Sequence, residues 1–402
     1  MKKRILFVGD DQGLFQEFTR ESAGAGAPWE AHAALSGEQA LAQCESTQFD
    51  AVVTASRLEG MTGVALLDAL VDQYPKVMRL VLSDLADVQW TMKCIGHAHH
   101  HLLQPCAATT LLSALDQAFA QEAWLPSAPV QDLVAQMRQV PSPPKMYFQI
   151  VEEIRSPDSS LEKIGALIAQ DPAVSAKVMQ LANSAVFALQ LQIVHPFEAI
   201  GYLGLETTKA IVLLAHTYAS FDKLKGVGFD INDLWRHSVA VGQLAQRIAR
   251  MENSGTEMAE QSFAAGLLHD LGKLLLAANL PKLFTQVLEH ARAEHCHLWE
   301  AEARLMPGAG HAELGATLLG IWGLHRPITE AVALHHSPWR QRERSFSPVT
   351  AVHAANVFDH ESQPDYNVLI PSQVNMAYLK DLGLDGRVDD WRHGCLAAKA
   401  DA

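Results

Sequence analysis

Five histidines and one aspartate stand out by type and spacing. His237 lies in Trp235-Arg-His-Ser, and His269 and Asp270 are adjacent in Gly266-Leu-Leu-His-Asp-Leu-Gly-Lys273. His311 lies in Gly310-His-Ala-Glu-Leu-Gly315, and His335 and His336 form a pair in Ala333-Leu-His-His-Ser337. An imidazole beside a carboxylate on a helix can bind one metal, and imidazoles from neighbouring helices can complete that site or build a second. His237 stands in line with Val241, Leu244 and Ile248, a helical stripe that faces a core. A polar group there needs a partner, either a metal or a backbone carbonyl. Lys273 is placed to stabilise phosphate charge, and Asp233, one turn before His237, to support a second metal. His335 and His336, next to Ser337-Pro338, equally suit an ordinary helix end. His353 and His360 read as surface residues, and His97, His99, His100 and His101 as a solvated turn.

A second constellation lies near the N-terminus. The apolar runs RILFV (4–8), DAVVT (50–54) and MRLVL (78–82) alternate with helix-period stretches such as Leu14 to Ser22 and Gly63 to Tyr74. That alternation predicts a parallel sheet covered on both faces. In such sheets chemistry sits at the C-terminal ends of strands. Those ends carry Asp10 and Asp11, then Ala55, then Ser83.

The chain that positions these groups has 402 residues, 49% apolar and 19% charged. Its length calls for two or three domains. No apolar run reaches the roughly 18 residues of a membrane span, and ILFVG reads as a first strand and not as a signal peptide. Five cysteines without a CxxC pair suggest a reduced cytosolic protein. A net charge of −14 argues against a nucleic-acid face, and Trp235-Arg236 and Lys223-Leu-Lys225 are too sparse to make one. Leu125 to Pro129 reads as a linker and PSPPK (141–145) as a second break. Beyond them the strand signal fades. Ser159-Ser-Leu-Glu162 reads as a capping box, and Asp171-Pro172 as a cap plus first-turn proline. Residues 130 to 360 therefore read as all-helical, with NVLIPSQVNMAYLKDLG packing back on them. Leu111 to Trp124 is apolar enough for either core or a homodimer face.

Residues 4 to about 120 resemble the receiver domain of response regulators. RILFVGDDQ matches its first strand and acidic cluster, FDAVVTASRLEGMTG the acceptor strand, LVLSD the strand ending in a hydroxyl, and HLLQPC the strand ending in Lys-Pro. The resemblance implies a five-stranded, doubly wound parallel sheet. It also shows what is missing. The first acidic position is Gly9, the phosphoacceptor position is Ala55, and the lysine position is Gln104, while Asp10, Asp11 and Ser83 are kept. Ala55 has no nucleophile, and Gln104 lacks the charge that neutralises phosphoryl oxygens. A pseudo-receiver follows, with no Mg²⁺ phosphorylation site.

Residues from about 130 to 390 resemble the HDOD family, relatives of the HD phosphohydrolases, through QDPAVSAKVMQLANSA (170–185), IGYLGLE (200–206), the His-Asp segment and MAYLKDLGL. The resemblance implies an all-α HD-like domain and a divalent transition metal held by His237, His269 and Asp270. Asn356 stands where a final aspartate is expected, and Asp359 is not the ligand on that alignment. His311, His335 and His336 resemble the extra ligands of the HD-GYP subgroup, but SPWRQRERS follows the His pair and holds no Gly-Tyr-Pro. The expected organisation is a receiver at 1–122, a linker at 123–129 and an HDOD domain at 130–402. The expected function is a cytoplasmic signalling regulator with a non-catalytic output domain, the alternative being a metal-dependent phosphohydrolase using Asp270 and Lys273. Expected partners are other signalling proteins, a nucleotide or cyclic dinucleotide, or a second copy, with neither nucleic acid nor membrane.

Overall fold

The computed structural model describes residues 3–24, 29–74, 77–84, 98, 100–121, 129–130, 133, 144–156, 158–183, 193, 195–221, 230–362 and 373–400. Residues 123–128 of the expected linker, His97, His99, Lys223 and Lys225 lie outside them. The chain divides into two compact units, 1–142 with 317–326, and 143–316 with 327–402.

Strands and helices alternate in the N-terminal unit: β1 (Lys3–Val8), α1 (Gln12–Gly24), β2 (Trp29–Ala34), α2 (Gly37–Ser46), β3 (Ala51–Ala55), α3 (Gly63–Gln73), β4 (Met78–Asp84), β5 (His100–Gln104) and α4 (Ala108–Gln121). The sheet order is β2-β1-β3-β4-β5, and every neighbouring pair is parallel. Successive strand residues face opposite sides. Ile5, Phe7, Ala51, Val53 and Leu80 therefore pack with Leu14, Phe18, Leu111 and Leu115 of α1 and α4. Leu6, Val8 and Val52 pack with Ala40, Cys44, Leu66 and Leu70 of α2 and α3. Burial on both faces explains the uninterrupted apolar runs, each large side chain contributing about 1.5–3 kcal/mol. Leu111 and Leu115 are thus core residues of this unit. His100 and His101 belong to β5 and not to a preceding turn, because they register with Leu80 and Val81 of β4.

Every regular element described after residue 144 is helical. In order they are α5 (Lys145–Arg155), α6 (Leu161–Ala169), α7 (Pro172–Ala182), α8 (Pro196–Leu203), α9 (Leu205–Ser220), α10 (Ile231–Met251), α11 (Thr256–Leu268) and α12 (Leu271–Asn279). Then follow α13 (Pro281–Ala293), α14 (Leu298–Leu305), α15 (His311–Ile321), α16 (Arg326–Leu334), α17 (Pro348–Ser362), α18 (Met376–Asp381) and α19 (Val388–Ala400). The cap of α6 is Ser160, whose side chain accepts from Lys163 N; the expected box from Ser159 is displaced by one residue. Asp171 caps α7 as expected, accepting from Val174 N at 3.1 Å. Tyr378 of α18 is buried and bonds Thr350 and Gln341, so this part of the tail packs on its neighbours. No single helix among the described residues is long and apolar enough to cross a membrane. Among the described residues, Cys44, Cys106, Cys296 and Cys395 form no disulfide.

Candidate metal centre

The long helix α10 starts at Asp230, whose side chain accepts from Asn232 N at 2.7 Å. Its buried stripe is Leu234, His237, Val241, Leu244 and Ile248, so the sequence spacing does carry His237 inward. Gly242 and Gly266 let α10 and α11 touch backbone to backbone. A Cβ on Gly266 would sit 2.7 Å from Gly242 Cα. This approach brings His237 Nε2 to 3.2 Å from His269 Nε2. His269 is the last residue before a break, and Asp270 occupies the cap of α12 without using its side chain there. The carboxylate is therefore free to turn inward.

Asp270 sits between two sets of imidazoles. Its Oδ2 lies 3.4 Å from His269 Nε2, 3.6 Å from His237 Nε2 and 2.6 Å from Lys273 Nζ. Its Oδ1 lies 3.3 Å from His311 Nε2 and 3.9 Å from His335 Nε2. His336 Nε2 is 3.2 Å from His311 Nε2. Two donor groups result, His237-His269-Asp270 and Asp270-His311-His335-His336, sharing one carboxylate. His335 and His336, just past the end of α16, are thus gathered into the site.

The other ring nitrogens are already spoken for. His269 Nδ1 donates to Gly266 O, His335 Nδ1 to Val332 O, His237 Nδ1 to Asp359 and His311 Nδ1 to Glu302, all at 2.6–2.7 Å. A neutral imidazole that donates from Nδ1 carries its lone pair on Nε2. The Nε2 lone pairs of His237 and His269 therefore face each other across 3.2 Å, an arrangement that calls for a cation between them. Ligand atoms bound at about 2.0–2.2 Å to one metal lie roughly 3–3.5 Å from each other; most of these spacings are 3.2–3.4 Å, with His237–Asp270 at 3.6 Å and His335–Asp270 wider at 3.9 Å. Asp270 Oδ1, His335 Nε2 and Asn356 Oδ1 are buried without a hydrogen-bond partner, as ligand atoms would be. The donor set fits a divalent transition metal.

Electrostatics favour neutral donors at His269, His335 and His336 but not at His311, which a cation would have to deprotonate. Burial opposes charge on Asp270, yet His269, Lys273 and His311 together hold its pKa well below the usual carboxylate range. Burial pushes His269, His335 and His336 down, keeping them neutral. Burial also pulls on His311, but Glu302 and Asp270 outweigh it and raise its pKa to about 9.

Three expectations change. His353 is buried, not on the surface: its Nδ1 donates to His335 O at 2.8 Å and its Nε2 accepts from Asn375 N at 3.0 Å. His360 is half-buried and stacks on His237 with ring centroids 4.7 Å apart. Asp233 pairs with Arg236 in a solvent-exposed ion pair and belongs to neither donor group. Glu302, absent from the sequence reading, is 2% exposed and anchors His311 through both its ring and its backbone N–H. Gly310 leaves it room, since a Cβ there would stand 2.9 Å from Glu302 Oε2. Asp359 likewise orients His237 and lies outside both donor groups.

At the N-terminal unit the C-terminal ends of β1, β3 and β4 lie side by side, as the parallel pairing requires. Gly9 has φ +137°, and a Cβ there would stand 3.2 Å from Ala55 Cβ, so neither residue offers a carboxylate. Asp10 is exposed, and Asp11 caps α1 by accepting from Leu14 N at 2.9 Å. Ser83 is buried at the end of β4, and Gln104 is half-buried at the end of β5. Asp50 lies at the opposite end of β3, accepting from Arg4 N. Incubation of the protein with acetyl phosphate and Mg²⁺ is expected to leave its intact mass unchanged.

Residues 140–338 match the HDOD domain family, and residues 5–116 match the response regulator receiver domain family. The chain joins a receiver domain to an HDOD domain. An uncharacterized protein of Treponema pallidum (strain Nichols) is 28% identical over 198 residues, 49% of this chain and 38% of that protein. The chain therefore spans well under two thirds of that relative. The crystal structure of an HDOD domain protein with unknown function from Geobacter sulfurreducens is 24% identical. It covers 66% of this chain and 96% of its own, with a TM-score of 0.52, and shows the fold alone. The signal receiver domain of an HD domain-containing protein from Pseudomonas fluorescens Pf-5 is 29% identical, covering 30% of this chain and 98% of that one, with a TM-score of 0.28. A receiver joined to an HDOD domain is the layout of a signal-transduction regulator. Both donor groups lie within the helical unit that carries the HDOD domain.

Proposed function

We propose that this regulator works without receiver phosphorylation and that its HDOD domain uses a divalent-metal centre to bind a phosphate-bearing ligand. The observation that carries the reading is the approach of four imidazole nitrogens to the two oxygens of Asp270, all four rings fixed from behind, with His336 within 4.8 Å as a further donor. A metal there would supply positive charge for phosphate oxygens and acidify bound water. The chain's own groups do the rest. Asp270 bridges the donor sets, Glu302 and Asp359 hold the ring orientation, and Lys273, only partly buried, puts a second positive charge beside the carboxylate. On this reading residues 1–122 dock another signalling protein, 123–129 connect, and 130–402 form the output domain.

Hydrolysis of the ligand is the second reading. What favours it is a cavity of about 480 Å³ that reaches His335 and His336, since structural metal sites are closed and catalytic ones keep an open position. What opposes it is Asn356, a neutral amide where a charged ligand would hold the metal more firmly. The test is metal content by mass spectrometry on freshly purified protein, followed by phosphate binding with and without metal. One or two equivalents of a transition metal and metal-dependent phosphate binding are expected. A folded protein that takes up no metal overturns the reading. Turnover of bis(p-nitrophenyl) phosphate by the loaded protein would then decide between binding and hydrolysis.

A further inference from the structure

We infer that the phosphate-bearing ligand is a nucleotide, with its base stacked in the aromatic cavity beside His335 and His336. This inference rests on the phosphate-ligand reading above and adds the part of the ligand that the metal does not touch.

Three observations carry it. First, the cavity lined by His335 and His336 is also lined by Trp299, Trp339 and Met376, so one space joins the metal donors to large apolar side chains. About 480 Å³ falls within the range of small-molecule sites. Second, the rings are aligned. His297 and Trp299 are 14° from parallel and Trp299 and His336 are 19° from parallel, with centroids 6.1 and 5.9 Å apart. A flat heteroaromatic ring entering along these planes extends the series in the offset geometry that aromatic pairs prefer. Third, Trp339 is 47% exposed and Met376 is 49% exposed. Two large apolar side chains that line one cavity and stay half exposed are the feature a bound ring would cover.

The lining is also fixed in place before any ligand arrives. His353 ties the backbone of His335 to that of Asn375, the residue before Met376, so this part of the lining and the metal donors are held at one spacing. A ligand that pays little to order its site needs two features at that spacing, a phosphate and a flat ring. A sugar phosphate has the first only.

The experiment is calorimetry on the full, metal-loaded chain with AMP, GMP and ribose 5-phosphate, for the wild type, Trp339→Ala and Trp339→Phe. Base–aromatic stacking predicts that the nucleotides bind about 5- to 150-fold tighter than ribose 5-phosphate. Trp339→Ala is expected to remove most of that advantage and Trp339→Phe to restore much of it. Metal content and ribose 5-phosphate affinity are expected to stay unchanged in both variants. Equal binding of all three ligands by the wild type, or an undiminished nucleotide advantage in Trp339→Ala, overturns the base subsite while leaving the phosphate reading in place. Absence of metal-dependent binding by any of the three overturns both.

Discussion

Asp270→Asn is expected to release metal from both donor groups at once, whereas His269→Ala and His336→Ala each release it from one. The asymmetry follows from geometry. Asp270 belongs to both groups, with Oδ2 facing His237 and His269 and Oδ1 facing His311 and His335. The histidines belong to one group each. Asparagine keeps the volume and one carbonyl oxygen but removes the charge that attracts the cations. Loss of a partner behind a ligand costs about 10–100-fold in metal affinity, so loss of a shared charged ligand is expected to cost more than about 100-fold. The fold is expected to survive, because an amide N–H₂ can donate to the imidazole lone pairs and Lys273 has access to water. Metal content by mass spectrometry, beside circular dichroism of each variant, reads the pattern directly. A folded Asp270→Asn protein that keeps two equivalents would show that the carboxylate is not shared.

How much of this was legible in the sequence depended on whether a side chain's burial leaves a periodic trace. His237 was legible because α10 is amphipathic and the residue falls on its apolar stripe. The strands were legible because burial on both faces leaves short apolar runs, and the missing carboxylate and lysine at the strand ends were legible as Ala55 and Gln104. His353 was not. Residues Pro348 to Asp359 of α17 are buried on every side, so the helix shows no polar face against which an inward histidine could be recognised. Glu302 failed for the opposite reason. In an amphipathic helix with Glu300 and Arg304 close by, a carboxylate reads as solvated, and only its long-range bond to His311 makes it part of the centre. Asp233 misled because spacing along one helix says nothing about Arg236, which claims it locally. The convergence of His335 and His336 on Asp270 is likewise a property of helix packing and not of any local pattern.

That packing can be tested at a single hydrogen atom. Gly272→Ala is expected to destabilise the helical unit by about 3 kcal/mol or more, at the upper end of overpacking costs. Intrinsic propensity alone predicts the opposite sign, since alanine in a helix is favoured over glycine by about 1 kcal/mol. The clash decides. A Cβ on Gly272 would meet the carbonyl oxygen of His311 and lie 2.7 Å from His311 C and 2.9 Å from its Cα. All three are backbone atoms, so no rotamer change relieves the contact and α12 must move away from the first turn of α15. Gly315 is close on the same side, its own Cβ position lying 3.1 Å from Gly272 N, so the approach relies on glycine in both helices. Moving that turn draws His311 away from Asp270 and weakens the second donor group while leaving His237 and His269 in place. Urea unfolding is expected to show a lower midpoint than for Gly386→Ala, where an added Cβ meets nothing within 4 Å. Metal content is expected to fall towards the single-group value. A Gly272→Ala protein with wild-type stability and a full complement of metal would mean that α12 and α15 do not set the position of His311.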